Sequence, residues 1–303
     1  MPSTLVTHLA LAACIAIWSG NFAVSKVAVG DAPPFLLATV RFLLASLLLL
    51  PIVARVAPAQ LAVKRDDLPL VAVLGLLGVV GSNALFFIGL SLAPAADGAM
   101  LNPTTVPIFT IVATRWLYGE RLGRDRLLGV ALSLVGVPLI LGGTAQGWEL
   151  SSARLLGDLL FLLGGFVWAF YAALGRAALQ RFSPLGASLH TCVAGVLMLL
   201  PLCLVTGSWQ PTALQTPTFW LNMAYMAGLS TVGAFLLWYR AVQGLGPARA
   251  AIFTNLVPVG ALGLAVALLG ERPSPVQLVG TVIVLAGVWQ ANRPVRSRRR
   301  GAP

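Results

Sequence analysis

Charge is the scarcest feature of this sequence. Only 10% of its 303 residues are Asp, Glu, Lys or Arg, whereas 58% are hydrophobic, and the mean hydropathy is +0.90. A soluble domain carries about 25% charged residues. A water-exposed surface cannot be covered from this supply, so the composition points to lipid as the solvent. Metal-ligating and nucleophilic residues are also few. The three cysteines (Cys14, Cys192 and Cys203) lie in apolar runs without metal-ligand spacing, and His8 and His190 are the only histidines. No metal, no cofactor and no catalytic constellation are therefore expected. The first residues lack a basic segment, so a cleavable signal peptide is not expected either.

What charge there is leans positive, with a formal net charge of +11. Nucleic acid is not the expected partner, because no stretch supplies a folded soluble basic face. The basic residues fall at the ends of apolar runs and in the tail from Arg293 to Arg300, where they can meet anionic lipid.

The apolar runs have the length of spanning helices, about 20 residues each. Their positions predict spans at 6–29, 34–54, 68–92, 97–118, 124–143, 155–178, 184–206, 217–243, 247–269 and 275–292. Turn chemistry separates them, as at Asp31-Ala32-Pro33-Pro34, Ser183-Pro184 and Pro273-Ser274-Pro275. A β-barrel would show short alternating strands instead. With the N-terminus in the cytoplasm, sixteen of the twenty Lys and Arg residues fall on the cytoplasmic side. Lys26, Arg154 and Arg272 fall on the other side, and Arg41 lies within a span. That bias predicts both termini on the cytoplasmic side of the membrane.

The sequence repeats itself. Trp18 to Lys26 corresponds to Trp168 to Arg176, and Pro94 to Asn102 corresponds to Pro247 to Asn255. Gly119-Glu120-Arg121 corresponds to Gly270-Glu271-Arg272, and Gly129 and Gly136 correspond to Gly280 and Gly287. Each copy holds five spans, an odd number, so the second copy must enter from the opposite side. The expected architecture is an all-α integral membrane protein of ten transmembrane helices in two inverted five-helix repeats. The units are 1–150, 151–292 and a basic cytoplasmic tail at 293–303. Inverted repeats are a device of secondary transporters, with the site between the halves near the midplane.

The duplicated pattern of Trp18, Lys26, Pro94, Asn102, Pro107, Gly119-Glu120-Arg121, Gly129 and Gly136 resembles the drug/metabolite transporter superfamily, EamA type. The resemblance covers nearly the whole chain, twice. Within the superfamily the sequence is similar to bacterial exporters of aromatic amino acids. It implies export of small amphipathic metabolites, foremost aromatic or hydrophobic amino acids, by alternating access. A proton-coupled exporter of other metabolites or drugs is the alternative, and a lipid-carrier flippase the next. The flippase needs a basic lateral groove, and the outer ends are nearly free of cations. Membrane lipid is the other expected partner, and the protein is expected as a monomer or weak homodimer.

Candidate substrate contacts are the intramembrane amides Asn21, Asn83, Asn102 and Asn255, the aromatic walls Trp168, Tyr171 and Tyr239, and the lone intramembrane His190. Helix packing is the competing role for each. No acid falls at a predicted midplane, which argues against proton coupling through a carboxylate. Asp97 is expected as a helix N-terminal charge, and Glu120 and Glu271 as local ion pairs or caps. Arg41 is expected to snorkel outward, with contact to a substrate carboxylate as the alternative. Lys26 and Arg176 are expected as headgroup anchors, and the glycine pairs as close helix contacts.

Overall fold

The computed structural model describes residues 4–119, 124–142, 151–245, 253–254 and 256–291. Within them the fold is all-helical and contains no strand. Helix α1 is Thr4–Asp31 and α2 is Pro34–Val56. Next, α3 (Leu68–Gly75) runs through a π-helical segment, Leu76–Gly81, into α4 (Ser82–Leu92). Helices α5 (Ala95–Tyr118) and α6 (Arg124–Gly142) close the first half. The second half opens with α7 (Ser152–Ala178) and α8 (Pro184–Val205). A second π-helical segment, Ala224–Gly233, joins α9 (Pro217–Met223) to α10 (Ala234–Leu245). The chain ends in α11 (Val257–Leu269) and α12 (Pro275–Ala291).

The predicted spans match these elements to within a few residues. The span predicted at 247–269 is the exception, since much of its first third, with Asn255, lies outside the described residues. Among the described residues, six helical segments are long and apolar enough to cross a membrane, and Leu127–Gly142, Val257–Leu269 and Pro275–Gln290 are shorter apolar helices. Large apolar side chains cover the exterior: Leu5, Leu197, Leu221, Val205 and Val282 are all mostly exposed. Lipid, not water, suits such a surface.

Local chemistry starts and stops the helices. Pro34, Pro184 and Pro217 occupy first-turn positions, where a missing N–H costs nothing. Ser151, Ser183 and Thr216 cap α7, α8 and α9 by accepting from Arg154 N, Gly186 N and Phe219 N. Gly119 and Gly270 end α5 and α11 in the left-handed region, at φ 65° and 67°. A side chain there would be strained, which explains the glycine of both Gly-Glu-Arg motifs.

Glu271 acts at a distance. Its carboxylate accepts from Ala95 N at 2.8 Å and Ala96 N at 2.6 Å, capping α5 across 175 residues or more of chain. The expected local cap is thus a bridge between the halves; Glu120 and Arg121 lie outside the described residues. Removing this cap with Glu271→Ala should lower stability by about 1 kcal/mol. Thermal unfolding in detergent checks this, and Glu271→Gln should lose less, because one oxygen can still accept.

Helices α6 and α12 pack against each other through glycine. A Cβ on Gly136 would stand 2.7 Å from Gly280 O, and one on Gly287 would stand 2.6 Å from Gly129 O. The glycine faces expected to make close contacts do so within one chain.

A central cavity as the candidate functional site

Two ends of the bundle are tied by polar contacts. At one end Arg154 grips Asp97, with Nε 2.7 Å from Oδ2 and Nη2 3.0 Å from Oδ1. Gln277 Nε2 donates to the same carboxylate at 2.8 Å. Asp158 lies within range of both Asp97 and Arg154, and both carboxylates are at most 2% exposed. Asp97 is therefore more than a helix-terminal charge: it joins α5, α7 and α12. Lys26 donates to Leu90 O at 2.6 Å and Ala93 O at 2.7 Å. It closes the C-terminus of α4 and is not the headgroup anchor expected. At the other end Arg181 pairs with Asp67 at 2.7 Å, Gln60 Oε1 accepts from Ser183 N, and Arg176 lies over the Tyr118 ring.

Between these ends lies a cavity of about 580 Å³. This is the size of a small-molecule pocket. Its lining comes from α1, α2, α5, α7, α8, α10, α11, the two π-helical segments, and Asn83 and Thr254. Helices α6 and α12 contribute nothing to it among the described residues, being occupied with each other.

Aromatic rings make its walls. Trp18 and Trp238 meet at 5.5 Å between centroids, and Trp168 and Tyr171 at 4.9 Å. Phe22, Phe42 and Phe235 add to them. Trp18 Nε1 donates to Ser230 O at 3.3 Å, which fixes the indole. The Tyr171 ring fits because residue 78 has no side chain: a Cβ there would stand 2.6 Å from the ring.

The π-helical segments free backbone carbonyls, and side chains answer them. Asn83 Nδ2 and Ser82 Oγ both donate to Gly78 O, at 3.0 and 2.9 Å. In the second half Thr231 Oγ1 donates to Met226 O at 2.7 Å. Such segments recur at functional sites, and here Gly78, Val79, Ser230 and Thr231 face the cavity. Sequence reasoning missed them. Their signal is a span interrupted by glycines with hydroxyls beside them: Gly75, Gly78 and Gly81 in one half, Gly228, Ser230, Thr231 and Gly233 in the other.

Five of the eight expected contacts meet here: Asn21, Asn83, Asn102, Trp168 and Tyr171. The Asn21 Oδ1 atom is buried with no hydrogen-bond partner. Asn83 commits its amine to the π-helical turn. His190 is not in the lining; it packs edge-on against Phe182 at 5.0 Å, toward the Arg181 end. This is the packing role weighed against substrate contact for His190, while Thr191 and Cys192, one and two positions on, face the cavity. Tyr239 lies in α10, but its side chain, like Asn255, is outside the described residues. Arg41 does not snorkel. It is 8% exposed and lines the cavity, its Nε donating to Thr231 Oγ1 at 3.2 Å. No carboxylate occurs in the lining among the described residues.

A multi-pass helical membrane protein built around a ligand-sized cavity has the form of a transporter. The sequence matches the profile of the EamA-like transporter family twice, over residues 5–142 and 155–293, and the chain belongs to that family. Its relatives are transporters and efflux pumps. It is 32% identical to an uncharacterized transporter of Archaeoglobus fulgidus, covering 93% of this chain and 96% of the relative. It is 30% identical to a probable amino-acid metabolite efflux pump of Salmonella typhimurium, covering 91% of each. It is 28% identical to a probable terminal-alkyne amino-acid exporter of Streptantibioticus cattleyicolor, over 97% and 95%. A crystal structure of a protein 22% identical shares the fold, with a TM-score of 0.64 over 94% of this chain and 96% of that one.

Proposed function

We propose that the protein exports small amphipathic metabolites, foremost aromatic or hydrophobic amino acids and their derivatives, by alternating access around the central cavity. The observation that carries this reading is the cavity wall: tryptophan, tyrosine and phenylalanine faces interrupted by the amides of Asn21, Asn83 and Asn102. Flat apolar cargo gains from stacking on such faces, and the amides orient its polar end. Without a carboxylate in the described lining, cargo movement is not exchanged against a proton at the substrate site.

The architecture proposed for this mechanism is ten spans in two inverted repeats, bounded at 1–150 and 151–292. Two features support it. Helix α1 packs on α10 and α11, while α7, its counterpart, packs on α4 and α5. Gly119 ends α5 at its C-terminus, and Glu271 caps the same helix at its N-terminus. A 24-residue helix is about 36 Å long, so Gly119 and Glu271 stand about a membrane thickness apart. The proposed setting is a bacterial inner membrane with both termini in the cytoplasm, where the Lys64, Arg115, Arg176 and Arg181 end faces inward.

Proteoliposomes test the reading. Counterflow of labelled phenylalanine or tryptophan should saturate and should respond little to an imposed pH gradient. Strict dependence on that gradient would contradict the uncoupled mechanism. Asn102→Ala should reduce transport per folded molecule about two- to tenfold, the weight of one hydrogen bond at about 0.5–1.5 kcal/mol. Unchanged transport per molecule would remove Asn102 from the binding surface.

A further inference from the structure

Arg41 poses a problem that the export reading does not answer. It is a buried cation, and no ion pair involves it among the described residues. Only its Nε finds a protein acceptor there, Thr231 Oγ1, and its guanidinium carbon stands 5.3 Å from the Phe42 ring centroid. A fixed positive charge without a counter-charge is costly inside a membrane protein.

Among the described residues no acid is placed to answer it. Of nine Asp and Glu residues, Asp97, Asp158 and Glu271 serve one end of the bundle, and Asp67 is held by Arg181 at the other. Asp31 closes α1, and Asp66 precedes α3. Of the remaining three, Glu120 and Glu149 lie outside the described residues, and Asp125 is in the first turn of α6, which takes no part in the cavity among the described residues.

We propose that Arg41 is the carboxylate subsite, and that the preferred cargo is a net-anionic aromatic or hydrophobic carboxylate. That class comprises amino-acid derivatives whose amine is absent or acylated. The inference rests on the export reading and narrows its substrate class. A guanidinium presents paired N–H groups that match a carboxylate, and Nη1 and Nη2 have no described protein acceptor. A monoanion neutralises the cavity. A zwitterion brings the same carboxylate, but among the described lining its ammonium meets amide and hydroxyl oxygens, the Cys192 sulfur and ring faces beside a like charge. A bare amine meets repulsion alone. Thr231 holds Arg41 in place, and Thr231 is itself aimed by its bond to Met226 O in the π-helical segment.

The test uses full-length protein in proteoliposomes, with labelled phenylalanine and labelled phenylpyruvate as the carried probes. Competitors sharing one ring supply the charge series: phenylpyruvate and N-acetylphenylalanine, then phenylalanine, then phenethylamine. The anions should compete at about tenfold lower concentration than phenylalanine, and phenethylamine should compete least. An inside-negative potential set with valinomycin should speed efflux of the anion and leave that of phenylalanine unchanged. Arg41→Gln should raise the anion half-saturation concentration about tenfold and erase its advantage over the zwitterion, with Arg41→Lys between. Equal competition by phenylalanine and its anions overturns the inference, as does an Arg41→Gln protein with unaltered anion half-saturation. If Arg41→Gln does not fold, the wild-type competitor order and voltage response decide alone. Transport that ignores charge sinks only this inference, whereas no transport of any aromatic compound sinks the export reading itself.

Discussion

Replacing Arg154 with alanine should cost the protein about 3–5 kcal/mol of stability, the scale seen when one partner of a buried ion pair is removed. Arg154 makes two hydrogen bonds to Asp97, a carboxylate that is 2% exposed. Asp158, at 1% exposure, stands beside it with Oδ1 unpartnered. Without the guanidinium, two buried acids face each other with the Gln277 amide as the one donor among the described residues. The expected result is a large fall in the unfolding midpoint in detergent and in accumulated protein. Asp97→Asn in the Arg154→Ala background should recover part of the loss, because it removes the stranded charge while keeping an acceptor for Gln277. An unshifted midpoint in Arg154→Ala would show that this end is not held by the ion pair. A double mutant no better than the single would show that charge is not the cause.

The second large effect belongs to the α6–α12 seam. Gly136→Leu should prevent close approach of these helices and sharply reduce folded protein. A Cβ at residue 136 would already stand 2.6 Å from a Val284 methyl carbon, 2.7 Å from Gly280 O and 3.0 Å from Val284 N. Two of those atoms are backbone, which cannot rotate away. Overpacking of this kind costs about 1–3 kcal/mol for a small excess, so even Gly136→Ala should be measurable and leucine worse. Gly263→Ala is the control: nothing lies within 4 Å of a Cβ there, and it should be neutral. Size-exclusion profiles and thermal melts report the loss. Because this seam lies away from the cavity, transport per folded molecule of a surviving Gly136→Ala protein should be normal. A leucine variant as stable as its parent would mean the helices do not meet through these glycines.

Much of the site could be read from residue type. Asn21, Asn83 and Asn102 are amides inside apolar runs, and an amide in hydrocarbon needs a partner or a wet cavity; all three line the cavity. Trp168 and Tyr171 line it as well. His190 does not, because one helical step of about 100° separates a cavity-facing position from a packed one. Thr191, the next residue, faces the cavity. The sequence could not rank these neighbours, since His190 and Thr191 are adjacent polar residues in a helix that is otherwise mostly apolar.

Sequence alone determined the solvent, the places where helices begin and end, and the inventory of groups available to a substrate. Those properties follow from composition over about 20 residues and from turn residues acting on their neighbours. Only the tertiary structure decided where Arg41, Asp97, Lys26 and Glu271 point. Their partners lie 190, 180, 67 and 176 residues away in the chain. A helix that is apolar all round has no preferred face toward lipid, so its rotation is set by the neighbours it packs against and not by its own pattern.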